Sequence, residues 1–150
     1  MILIAHRGNL TGVNPDKENS PEYIQDALDQ GYHCEIDLRV SDGTLFLGHD
    51  APQYAVTKDF LQHPSLWIHC KDSEALAYCL SNQLHCFWHE EDDYTLTSSK
   101  VVWAYPGKSA VNDSTVLVMP ERHMKLNEIT ELNVFGICSD IVKEIRDARA

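Results

Sequence analysis

The 150-residue chain has no hydrophobic run long enough to cross a membrane. Its apolar opening, Met1-Ile2-Leu3-Ile4-Ala5, is too short for a signal peptide and reads as a first strand. Basic residues are scarce, with 12 Lys and Arg against 23 Asp and Glu and a formal net charge of −11. A surface of that sign repels nucleic acid and anionic membranes, so neither is an expected partner. The five cysteines contain no CxxC pair and no zinc-ligand spacing. Each falls in an apolar-patterned stretch, as buried reduced thiols do, which implies a reducing compartment and a cytoplasmic location. Repeats, low-complexity runs and linkers are also missing, so residues 1–150 read as one domain.

What is present alternates between short strands and short helices. Residues 2–5 form the first expected strand. Ser20-Pro21-Glu22 opens a helix with a capping hydroxyl, proline at the first helical position and an acid in the first turn; Gly31 closes it. A strand over 33–40, the Asp42-Gly43 turn and a strand over 44–48 make a hairpin. A strand over 66–70 and a helix over 73–82 follow, then strands over 85–89, 101–105, 115–119 and 134–138, and a helical tail from Ile141. Strand–helix–strand order implies a parallel sheet. A full eight-fold barrel takes about 200 residues or more. The expectation is therefore a reduced, TIM-like β/α barrel with loops in place of several helices.

Alternation along two strands separates polar from apolar residues. Cys34, Ile36, Leu38 and Val40 share one face of 33–40, and Glu35, Asp37 and Arg39 the other. Leu66, Ile68 and Cys70 oppose Trp67, His69 and Lys71. Solvent-facing strands also carry Glu-x-Asp, but two strands divided alike imply one shared polar interior. Paired inward carboxylates call for a cation, and a divalent metal suits their oxygens. His69 is a candidate third ligand, with a satisfied core histidine as the alternative, and Lys71 is a candidate phosphate contact. His6-Arg7-Gly8 and His49-Asp50 end strands, which makes His6 and His49 candidates for acid–base work near neutral pH. Arg7 offers a planar fork to a phosphate. His89, at the head of the acidic run 89–94, is a candidate site residue. Trp103 and Tyr105 suit either an apolar substrate wall or the core.

His6-Arg7-Gly8, Glu18-Asn19-Ser20, Ala27-Leu28-x-x-Gly31, Glu35-Ile36-Asp37-Leu38-Arg39 and Leu47-Gly48-His49-Asp50 together resemble the glycerophosphodiester phosphodiesterase pattern, in order and spacing. The likeness is dense over 2–50 and thinner at Trp67–Lys71 and Gly136–Asp140. The resemblance implies a β/α barrel that hydrolyses small phosphodiesters with a divalent cation, Mg or Ca first. It implies His6 and His49 as the acid–base pair, Arg7, Glu18 and Lys71 around the substrate, and Glu35 and Asp37 on the metal. The chain departs from the pattern where His69 replaces the usual Glu, which opens the site to Mn or Zn. It also lacks the insertion that usually follows the His-Asp pair. A phosphate-binding relic of such a fold is the alternative function.

Overall fold

A computed structural model describes residues 1–150. The strands are β1 (Ile2–His6), β2 (His33–Ser41), β3 (Thr44–Leu47), β4 (Tyr54–Ala55), β5 (Leu66–Cys70), β6 (Cys86–Trp88), β7 (Tyr94–Leu96), β8 (Val102–Ala104), β9 (Thr115–Val118) and β10 (Gly136–Ser139). The helices are short: α1 (Pro21–Asp29), α2 (Lys58–Leu61), α3 (Ser73–Ser81), α4 (Leu126–Thr130) and α5 (Val142–Arg149). No helix is long and apolar enough to cross a membrane.

All ten strands join one mixed sheet, curled into a half-barrel. The parallel run is β6-β5-β2-β1-β10-β9-β8, while β3, β4 and β7 add antiparallel pairings. The two ends of the curl meet where Ser98 N donates to Cys86 O (2.8 Å) and Thr95 Oγ1 donates to Trp88 O (2.8 Å).

This corrects the expected TIM-like barrel. Strand and helix do not alternate around the structure, and the reason is chain length. A parallel crossover usually takes a dozen or more residues. The segment after β6 is too short to carry a helix and forms β7, which turns back antiparallel onto β8. The link from β8 to β9 stays a loop. The acidic run at 89–94 thus leads into a strand instead of a simple crossover.

Apolar side chains divide between the two faces of the curl. Cys34, Ile36, Leu38, Leu66, Ile68 and Cys70 lie on the outer face, in the cluster beneath α1 and α3. Ala104, Leu117, Ile137 and Ile145 form a second outer cluster with α4 and α5. Ile4, Trp67, Phe87, Trp103, Val116 and Cys138 fill the inside. Local signals set the helices. Ser20 Oγ accepts from Tyr23 N (3.2 Å), and α1 buries Ile24, Ala27 and Leu28. Full burial of Ile24 alone stabilises by about 1.5–3 kcal/mol. Asp72 caps α3 through Ala75 N (2.7 Å) and ties it to β2 through Val40 N (3.1 Å).

The β2–β3 hairpin returns the chain to the level of Asp37, whose carbonyl accepts from Gly48 N (3.0 Å). Gly48 has φ 156°, and a Cβ there would lie 1.9 Å from the Ala51 carbonyl oxygen. Gly12 also has positive φ (128°) but meets nothing within 4 Å. Gly48→Ala is therefore expected to destabilise by at least about 1–3 kcal/mol, the cost of a strained backbone position, plus whatever the clash adds. Gly12→Ala shares the strain and lacks the clash. Urea unfolding of the two variants measures the difference, and equal losses would refute a steric role for Gly48.

Candidate active site

The C-terminal ends of parallel strands in an open α/β sheet are where ligands bind. Here that edge gathers His6 from β1, Lys71 just past β5, His89 just past β6, and Asp140 just past β10. Register does the rest: His6 sits beside Glu35, and Asp37 beside His69. The hairpin supplies His49. Arg39 holds that loop, donating from Nε to Gly48 O (2.9 Å) and from Nη2 to His49 O.

His6, Glu35, His49, His69 and Lys71 open onto one cavity of about 450 Å³. Trp88, His89, Trp103, Tyr105 and Arg122 line it opposite. Lys71 and Arg122 form no ion pair, so the cavity carries uncommitted positive charge despite the acidic surface.

At the floor, Glu35 and Asp37 are 3% and 0% exposed. With His69 they present ligand atoms that all lie within 4.8 Å of one another, a group able to hold a metal ion. His69 Nδ1 is 3.2 Å from Asp37 Oδ1 and 3.7 Å from Glu35 Oε1. Its Nε2 donates to the His89 carbonyl (2.9 Å), which aims Nδ1 at the carboxylates. A backbone acceptor on the far nitrogen is the usual way a ligating histidine is oriented. Glu35 Oε2 and Asp37 Oδ1 are buried and accept no hydrogen bond. Such orphaned oxygens fit a hard divalent cation. The chemistry of Glu35, Asp37 and His69 therefore suits the metal that the sequence resemblance implies.

Asp37 is held further. Asn19 Nδ2 donates to its Oδ2 (2.9 Å), and Arg7 Nε lies 2.9 Å from the same oxygen. Burial raises the Asp37 pKa, but His69 and Arg7 outweigh it and hold the carboxyl well below its usual range. Arg7 also donates to Glu18 (3.1 Å). Its guanidinium faces the cavity already paired with two carboxylates, in contrast to the free phosphate fork expected from HRG. Glu18 stands beside the cavity and also accepts from Asn9 Nδ2 (2.8 Å).

His6 Nδ1 donates to Asp140 Oδ1 (2.8 Å), leaving Nε2 toward the cavity and 3.9 Å from Glu35 Oε2. Burial lowers the His6 pKa, but the Asp140 bond and the Glu35 charge overcome it and raise the pKa. His49 is more open, with Nδ1 2.8 Å from Asp50 Oδ1. His89 lines the cavity with both ring nitrogens unpartnered, and burial, then the charge of His69, lowers its pKa.

The sequence alone gives no role to Asp140, Asn9 or Asn19. Asp140 lies inside the thin Gly136–Asp140 likeness, and Asn19 inside Glu18-Asn19-Ser20, but what each bonds to depends on pairing distant in the chain. Glu121 has no local signal beyond its place after a strand end. Its Oε1 accepts from Ser139 Oγ (2.7 Å) and Asp140 N (3.1 Å), supporting the His6 partner from the end of β9.

These charges set a pH dependence for the metal-free protein. Burial opposes a charged His69, yet the Asp37 and Glu35 carboxylates beside it push the pKa up to about 9, above the ordinary value near 6.5. A raised folded pKa gives stability that is full below about pH 6.5 and lost as pH rises through about 9. His6 contributes with the same sign. Asp37 and Asp140, held low, contribute above the usual carboxylate range and lose that stability as pH falls below it. In chelator, Tm is therefore expected to fall between pH 6.5 and 9, and to fall less in His69→Gln. A Tm that rises over this interval contradicts the charge assignment.

No protein-family model matches the chain, nor does any curated protein or solved structure.

Proposed function

We propose that the protein is a metal-assisted hydrolase of small phosphodiesters, with His6 and His49 as its acid–base pair. One observation carries this: two imidazoles and an unpaired lysine share one cavity with Glu35 and His69, which the fully buried Asp37 completes as a metal-ligating group. The resemblance of residues 2–50 to the glycerophosphodiester phosphodiesterases supports the same chemistry. Glu35, Asp37 and His69 would hold the divalent cation, Mg, Ca, Mn or Zn, which supplies neutralisation of the charge that develops on the phosphate. Lys71 attracts the anionic diester as a point charge. His6, kept in its acid form by Asp140, gives its Nε2 proton to the leaving alkoxide. His49 takes the proton of the attacking hydroxyl, whether water or a neighbouring substrate hydroxyl. Trp88, Trp103 and Tyr105 offer an apolar wall to the organic part of the diester.

The alternative, a phosphate-binding relic, rests on His69 standing where the resemblance calls for Glu and on the missing insertion. An aryl phosphodiester assayed with Mg, Ca, Mn or Zn separates the two. Hydrolysis that needs added metal and is absent with the matching phosphomonoester is the expected result. Binding of inorganic phosphate without turnover, under any of these metals, favours the relic.

A further inference from the structure

Three of the five cysteines converge in the outer core, on the face of β5 opposite His69, although Cys70 also borders the cavity. Cys70 ends β5, Cys79 lies on α3 and Cys86 begins β6. Their sulfurs all lie within 4.8 Å of one another, and each residue is at most 1% exposed. All are free thiols. The sequence shows no metal spacing because the three sit on separate elements. They meet because α3 packs across β5 and β6, with Ile68 registered beside Cys86.

We propose that Cys70, Cys79 and Cys86 form a three-sulfur site for a soft, thiophilic ion, with trivalent arsenic as the matching charge. Three sulfurs bonded at about 2.3 Å to a pyramidal trivalent ion, with S–ion–S angles of about 95°, sit roughly 3.4 Å apart, so closure needs a shift of about 1.4 Å at most. Soft donors select soft ions. The surroundings are apolar, including Ile68, Ala75 and Leu84 of the outer cluster. Burying net charge there is costly. Three thiolates on a divalent ion leave one negative charge, whereas on a trivalent ion they leave none. Binding of arsenous acid balances without redox change: three S–As bonds form, three As–OH bonds break, and each thiol proton leaves with a hydroxide as water.

Thiol–thiol hydrogen bonds couple the three sulfurs: they hold the Cys86 thiol below its usual range and, with burial, leave Cys70 and Cys79 above it. At the seam of the curl, exposed Ser98 accepts from Cys86 N through its hydroxyl (2.9 Å).

The test is arsenite added to the reduced, folded full-length chain. Native mass spectrometry is expected to show one adduct, heavier by one arsenic less three hydrogens, and Tm is expected to rise. Cys34→Ala and Cys138→Ala should keep the adduct; Cys79→Ala and Cys86→Ala, on separate elements, should each lose it. Retention of the three-hydrogen adduct in either of the last two overturns the site. So does the absence of an adduct in the folded wild type, which needs no variant to read. A fall in Tm, the sign of arsenite captured by unfolded chain, overturns it as well.

Discussion

His6→Ala is expected to lower turnover of an alkyl phosphodiester by roughly 10²–10⁴, the range for losing a general acid or base. In the proposed mechanism His6, bonded to Asp140, is the acid, and an acid is needed in proportion to how poor the leaving group is. With a nitrophenyl leaving group, which departs as a stable anion, the His6→Ala deficit should shrink to a small fraction of that. His49→Ala removes the base and should cost about 10²–10⁴ on both substrates, because the attacking hydroxyl is the same in each. Steady-state rates on the two diesters decide the roles. Equal deficits for His6→Ala on both substrates would reverse or remove its role as acid, and full activity in His49→Ala would falsify the pair. Asp140→Asn keeps the shape but weakens the hold on the His6 proton, so the alkaline limb of the pH–rate profile, where His6 loses that proton, should move to lower pH.

Asp37→Ala should have the second large effect, on binding and folding together. Asp37 is fully buried and faces Arg7, Asn19 and His69. Removing one partner from a buried charge pair costs about 3–5 kcal/mol, because the surviving charges are left desolvated. Arg7 keeps Glu18 and His69 keeps Glu35, which places the expectation at the lower end of that range. The metal group loses one of its two carboxylates, so affinity for Mg or Mn should fall beyond detection by calorimetric titration. Glu35→Gln gives a second reading with less loss of fold, since it keeps the side chain's volume. An unchanged metal midpoint in both variants would mean that Glu35, Asp37 and His69 do not form the metal site.

The polar wall of the cavity is legible in the sequence. A strand places alternate residues on opposite faces whatever surrounds it, so Glu35 and Asp37 must part from Cys34, Ile36 and Leu38, and His69 from Ile68 and Cys70. Helix α1 is legible for the same reason, since Ser20 and Pro21 act within one turn. These are short-range effects, complete within a few residues of sequence.

Long-range pairing is not legible there. Nothing local says that His69 comes beside Asp37, that Asp140 reaches His6 across 134 residues, or that Cys70, Cys79 and Cys86 meet. Those contacts depend on which strands are neighbours and in what register, which the whole sheet settles at once. The same limit explains why the expected barrel is not found. Alternating strands and helices in the first half point to a β/α barrel, but the short segments after β6 and β8 leave no room for crossover helices, and the chain turns back as β7 instead. The sequence by itself determined which residues share a face and where the first helix starts. Only the tertiary structure decided which faces meet, because a side chain's direction is set by its own backbone while its neighbours are set by connections and pairings made far along the chain.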